Sequence, residues 1–184
     1  MSKTGIFMMG CGIVAALAGS AFAGDAPDAA PNTIGQFHTI RVVNTTFCVQ
    51  PQGGSSGTAT AELATCVPSS PAQNWVFVSV SGGTEIVNNL SGKCLYNAGS
   101  NPPVNGTGPI LVDDCNVFGT NTPASNALWS PSALTGLASL KTLIGHRNNN
   151  FCLDVPGDSP FAGATLQIFT CNNTPAQLFI VGQE

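Results

Sequence analysis

Six cysteines in three similar pairs constrain this chain more than any other feature. Cys48 and Cys66, Cys94 and Cys115, and Cys152 and Cys171 are separated by 18, 21 and 19 positions. Each pair sits in the same order of landmarks. The first cysteine opens a short run (Phe47-Cys48-Val49-Gln50, Lys93-Cys94-Leu95-Tyr96, Phe151-Cys152-Leu153-Asp154), and the second closes a strand-like one. A polar loop then leads to a large aromatic at Trp75, Trp129 or Phe179. Units recurring about every fifty residues imply a repeat architecture. The repetition selects one pairing out of the many that six cysteines allow: a bridge inside each unit. Closing a loop of this size contributes roughly 3 kcal/mol per bridge by the chain-entropy argument.

Short alternating or apolar runs separated by Gly, Pro, Asn and Ser fill the rest. Twelve are expected, near 37–43, 47–50, 60–65, 74–80, 84–88, 93–97, 110–114, 128–132, 138–145, 151–155, 165–170 and 177–182, four to each unit. Strands at this spacing, with turn clusters such as Gly53-Gly54 and Gly82-Gly83 between them, point to an all-β barrel or sandwich. Three copies of a four-stranded unit narrow that to a closed form with threefold pseudosymmetry.

The N-terminal 1–23 segment has Lys3, a short apolar stretch and Ala21-Phe22-Ala23, the pattern of a secretory signal peptide cut before Gly24. Its removal takes the seventh cysteine, Cys11, and leaves six, an even number suited to disulfides in a secreted protein, extracellular or periplasmic. Residues 24–36 read as a flexible Pro/Ala-rich leader and 37–184 as one domain. Beyond the signal, Arg41, Lys93, Lys141 and Arg147 face nine acids, a net charge of −5. No basic cluster exists to neutralise phosphates, so nucleic acid is an unsuitable partner. No amphipathic basic helix is present for a membrane surface, and membrane insertion is not expected. A zinc site is poorly supported, since there is no Cys-x-x-Cys and His38 and His146 stand alone. No metal or other cofactor is implied.

Cys152-Leu153-Asp154-Val155, Leu166-Gln167-Ile168-Phe169-Thr170-Cys171 and the Gln-x-aromatic steps at Gln73-Asn74-Trp75 and Gln177-Leu178-Phe179 resemble the ricin-type lectin domain, a β-trefoil. The resemblance spans roughly 37–182 and implies carbohydrate binding, with glycans of galactose type among the ligands. It makes Trp75, Trp129 and Phe179 core aromatics. It also transfers a sugar site to the third unit, where Asp154 matches the carboxylate, Gln167 the strand amide, Phe169 the stacking platform and Gln177 the glutamine. Ala176 stands where the family has Asn. Such a site works because a carboxylate or amide accepts from vicinal hydroxyls while an aromatic face covers the C–H side of the ring. Strand alternation agrees: Leu166 and Ile168 share one face, Gln167 and Phe169 the other.

The first unit has Gln50 and Ala64 at the carboxylate and platform positions and is expected to be silent. The second has Tyr96 and Asp113 there, inverting the chemistry, and Ala127 in place of the Gln. It too is expected to be inactive, unless Tyr96 and Asp113 face each other in a different pocket. A single site gives no avidity within one chain, so a homo-oligomer or a partner polypeptide would supply it. The rival within the fold is a sugar-inactive trefoil serving as a protein-interaction or receptor-binding subunit of a toxin, or as an inhibitor. No nucleophile elbow, His-Glu-x-x-His or phosphate loop occurs, and no second acid is placed for glycoside hydrolysis, so an enzyme is not expected.

Overall fold

A computed structural model describes residues 36–99, 104–106, 108–116, 122, 124–142 and 150–183. The expected signal peptide, the leader apart from Gln36, and His146 lie outside the described residues. The first unit supplies β1 (His38–Val42), β2 (Phe47–Pro51), β3 (Ala59–Thr65) and β4 (Asn74–Val80). The second supplies β5 (Gly83–Asn88), β6 (Cys94–Asn97), β7 (Ile110–Asp113) and β8 (Leu128–Pro131). The third supplies β9 (Gly136–Ala138), β10 (Leu140–Thr142), β11 (Phe151–Asp154), β12 (Gln167–Thr170) and β13 (Phe179–Gln183). Every described segment of regular structure is strand or a one-turn 3₁₀ segment.

The outer strands of each unit close a ring. β1 pairs with β4 and β13, β4 with β5, β5 with β8, β8 with β10, and β9 with β13, all antiparallel. The run expected as one strand over 138–145 is two short strands parted at Ser139. The reason is visible in the pairing: its first half serves β13 and its second half β8. Residues 143–145 of that run lie outside the described residues.

The inner strands form three hairpins, β2/β3, β6/β7 and β11/β12, which meet over one end of the ring. β3 pairs with β7, Glu62 bridges to Thr165, and the Ile110 amide donates to Leu166 O at 3.2 Å. Alternation along these strands sends Val49, Leu63, Leu95, Val112, Leu153 and Ile168 into one continuous core. Trp75, Trp129 and Phe179 are 0 % exposed there, as the repeat predicts. The indole N–H groups of Trp75 and Trp129 donate to Val49 O and Leu95 O, equivalent carbonyls one unit apart. All three expected disulfides, Cys48–Cys66, Cys94–Cys115 and Cys152–Cys171, are formed, each with a Cα separation of 5.0 Å. The fold is therefore the β-trefoil with one bridge per unit. His38 is a buried strand residue edge-on to Phe77, and burial pulls its imidazole below the usual range.

Candidate functional site

In the third unit, Asp154 lies opposite Gln167 and Cys152 opposite Phe169. Partners across an antiparallel pair share a face, so these side chains lie on the outer side of the β11/β12 hairpin. Leu153 and Ile168, both 0 % exposed, point inward. Gln167 Nε2 donates to Asp154 Oδ2 at 2.6 Å, and Gln177 Nε2 donates to Oδ1 at 3.1 Å. Gln177 is presented by the one-turn segment Pro175–Gln177 and is 1 % exposed. Its Oε1 accepts from the Asn172 amide at 2.8 Å and its Nε2 also reaches Thr170 O at 3.0 Å. The structure thus joins Asp154, Gln167 and Gln177 into one network, with Phe169 half-buried on the same face.

Asp154 itself is 5 % exposed. Burial raises its pKa above the ordinary carboxylate value; the two amide bonds pull it back down, and the charge of Asp158 adds to the rise. Each carboxylate oxygen has two acceptor positions, so the two glutamines leave capacity for a ligand's hydroxyl. Ala176 is buried and offers only a methyl group where an amide would reach.

A residue of another unit also supports this strand. Asn105 Oδ1 accepts from both the amide and the hydroxyl of Thr170, each at 2.7 Å, and the Gly106 amide donates to Ile168 O at 3.0 Å. Gly106, with φ near +72°, lies beside the side-chain oxygen of Gln167. Nothing in the local sequence marks Asn105, because its partner is 65 positions away.

The first unit builds the same network with charge and amide exchanged. Gln73 Nε2 donates to Gln50 Oε1 at 2.9 Å, and Gln50 Nε2 donates to Glu62 Oε1 at 3.1 Å. Sequence reasoning missed Glu62, though it stands four residues before Cys66 as Gln167 stands four before Cys171. Its Oε1 also accepts from the Gly53 amide at 2.9 Å, so this carboxylate holds a turn. Ala64 leaves that face without an aromatic platform.

The second unit has no such network among the described residues. Tyr96 lies opposite Leu111, and Ala127 replaces the glutamine. A cavity of about 340 Å³ opens here, lined by Tyr96, Asp113, Asp114, Asn116, Ser125 and Asn126. A second cleft, about 200 Å³, runs between Val42–Thr45 and Asp158, Pro160, Pro175 and Ala176, with a mainly apolar lining. Below the second unit's hairpin, Glu85 Oε lies within 4.8 Å of both Sγ atoms of Cys94 and Cys115. Those sulfurs are bonded to each other, which removes them as metal ligands. Glu85 Oε1 has no hydrogen-bond partner among the described residues, and burial raises its pKa.

The family model described as ricin-type beta-trefoil lectin domain-like matches residues 29–111. No curated protein sequence matches the chain. Among solved structures, the designed 3-fold symmetric protein ThreeFoil superposes with a TM-score of 0.65 at 16 % identity, covering 80 % of this chain and 99 % of its own. A Macrolepiota procera ricin B-like lectin solved with lactose gives 0.63 at 17 %, covering 82 % and 96 %. The C-half of an earthworm R-type lectin solved with GalNAc gives 0.59 at 18 %, covering 81 % and 99 %. At these identities the likeness is one of fold, and the residues of a site must be argued from this chain.

Proposed function

We propose that this chain, a β-trefoil similar to the ricin-type lectin domain, is a secreted, non-enzymatic carbohydrate-binding protein with its sugar site on the outer face of the β11/β12 hairpin. One observation carries the reading: the Asp154 carboxylate is held by two glutamine amides, one on each oxygen, beside the half-buried ring of Phe169. A carboxylate fixed in this way accepts hydroxyl protons without reorganising, which lowers the entropy cost of binding. Phe169 covers the apolar side of the sugar ring, and Gln167 adds an amide at the rim. Gln177 acts from below, since its buried amide is taken up by Asp154, Thr170 O and the Asn172 amide. The sugars in the lactose and GalNAc complexes of the similar lectins make a galactose-type ring the first ligand to try.

The test is a broad glycan array with the purified, oxidised protein beside an Asp154→Ala/Phe169→Ala double variant shown by circular dichroism to be folded. Binding by the parent that disappears in the variant supports a lectin with its site in the third unit. Equal binding by both removes that site and moves the weight to the Tyr96/Asp113 region; none by either moves it to a protein partner for the same fold.

A further inference from the structure

We propose that opening the Cys94–Cys115 bridge turns the second unit into a binding site for a thiophilic divalent cation such as Zn²⁺, with both sulfurs and the Glu85 carboxylate as ligands. Glu85 lies on β5 two positions before Val87, whose partner across the strands is Cys94. Side chains two apart share a face, and a Glu85 carboxylate oxygen comes within 4.8 Å of both Sγ atoms. Zinc binds thiolates at about 2.3 Å and carboxylates at about 2.0–2.2 Å, so the donors of a tetrahedral site stand about 3.6–3.8 Å apart. Side-chain rotation supplies the movement that remains, since the two cysteine Cα atoms are already 5.0 Å apart.

A second observation points to a ligand. Glu85 is 7 % exposed, and its Oε1 has no hydrogen-bond partner among the described residues. Its neighbours across the strands, Val78 and Leu128, are apolar. A buried carboxyl oxygen left unbonded is costly and calls for an explanation; a cation held with the two sulfurs satisfies it. The other units lack this arrangement. Arg41 and Lys141 stand opposite Cys48 and Cys152 where unit two has Val87, and Thr39 and Ser139 precede them where unit two has Glu85. A fixed cation on that face repels a metal ion. No Cys-x-x-Cys spacing marks the site, because its ligands come from β5, β6 and the residue pair beyond β7.

The reductant is a thiol. Cys94 is 0 % exposed and Cys115 is half-buried, so the attacking thiolate meets Cys115 Sγ. The S–S bond breaks as a mixed disulfide forms, and its electron pair leaves on Cys94 Sγ, which takes a proton. A second thiol attacks the mixed disulfide and releases Cys115. In sum, two thiols become one disulfide and the bridge becomes two cysteine thiols, whose protons are released when the cation binds. The β6/β7 hairpin keeps its four paired positions and the Lys93–Asp114 ion pair when the bridge opens.

The experiment equilibrates the full protein with glutathione buffers of increasing reducing power, with and without Zn²⁺. Samples are quenched in acid, alkylated under denaturing conditions and mapped cysteine by cysteine by mass spectrometry. Zn²⁺ at about ten times its Kd is expected to let Cys94–Cys115 open at a glutathione poise about tenfold less reducing, and to leave Cys48–Cys66 and Cys152–Cys171 where they were. In the near-isosteric Glu85→Gln, binding weakens at least about tenfold and the shift shrinks to about twofold or less. Co²⁺ in place of Zn²⁺ gives thiolate-to-metal absorption at one ion per chain in the parent. An equal shift at all three bridges, no shift at any, a shift that survives Glu85→Gln, or reduced protein without cobalt absorption overturns the proposal. The bridge-by-bridge comparison is internal to the parent and needs no variant. The glycan array uses the oxidised protein, so the fate of the sugar site and that of the metal site are read separately.

Discussion

Replacing Asp154 by asparagine separates the charge of that side chain from its shape. Asn and Asp are nearly isosteric, and the asparagine oxygen still accepts from Gln177 Nε2, which lies 3.1 Å from Oδ1. Gln167, half-buried and donating to Oδ2 at 2.6 Å, has to turn its amide so that its oxygen accepts from the new NH₂ group. One bond is exchanged for another, so the fold loses no more than about 1 kcal/mol. Binding loses more. A hydrogen bond to a charged acceptor is worth about 1.5–3 kcal/mol against about 0.5–1.5 for a neutral one, and the difference corresponds to about tenfold in Kd for one sugar hydroxyl. The pH dependence sharpens the test. Burial raises the Asp154 carboxyl above the ordinary range, so the parent's affinity falls as pH drops through that raised value, while the Asp154→Asn variant shows a flat profile. Folding at this residue runs the other way. Because the folded pKa lies above the unfolded one, its contribution to stability is complete below the unfolded value and is lost as pH rises through the folded value. Acid therefore weakens binding without weakening the fold here. Isothermal titration with a glycan found on the array, from about pH 4 to pH 7, measures the affinity, and urea unfolding over the same range measures the stability. Equal affinity of parent and variant across that range would refute the assignment and leave Asp154 as a residue that only holds the β11/β12 turn.

Two further predictions concern the frame. Glu85 is 7 % exposed with Oε1 unpartnered among the described residues, and burial raises its pKa; its share of stability is therefore complete below the unfolded pKa and lost as pH rises through the raised folded one. Urea unfolding is expected to show Glu85→Gln gaining on the parent between about pH 4 and pH 8, and a pH-independent difference counts against it. Trp75→Phe and Trp129→Phe each strip a buried carbonyl, Val49 O or Leu95 O, of its indole donor. Losses of about 1–3 kcal/mol are expected in both, beyond any repacking; a loss below about 0.5 kcal/mol in either contradicts the equivalence of the two units.

Much of the architecture is written in short-range pattern. Period-two alternation sorts Leu166 and Ile168 from Gln167 and Phe169 because strand geometry leaves each side chain one of two faces. Cysteines at the ends of paired strands are brought within bridging distance by the hairpin itself, so Cys48–Cys66, Cys94–Cys115 and Cys152–Cys171 follow from spacing and repetition. Trp75, Trp129 and Phe179 recur at one place in each unit, and a pseudo-threefold ring has only its centre to offer three large aromatics. The position of Asp154 opposite Gln167 is likewise a matter of register within one hairpin.

Other features depend on contacts between units, which no local pattern encodes. The run after β8 breaks at Ser139 because closing the ring makes it serve two neighbours, β13 and β8. Asn105 reaches Thr170 only because two hairpins from different units lie side by side. The exchange of carboxylate and amide between Gln50–Glu62 and Asp154–Gln167 becomes a common design only when the partners are seen bonded. The second unit shows the division most clearly. Its sequence reads as a defective copy, with Tyr96 and Asp113 in each other's expected roles, yet in space those residues line a cavity. Sequence determined which groups were present, because covalent order and alternation place each side chain on a face. Tertiary structure decided which of them have free atoms and room around them, because that depends on which other segments, of the same unit and of its neighbours, pack against them.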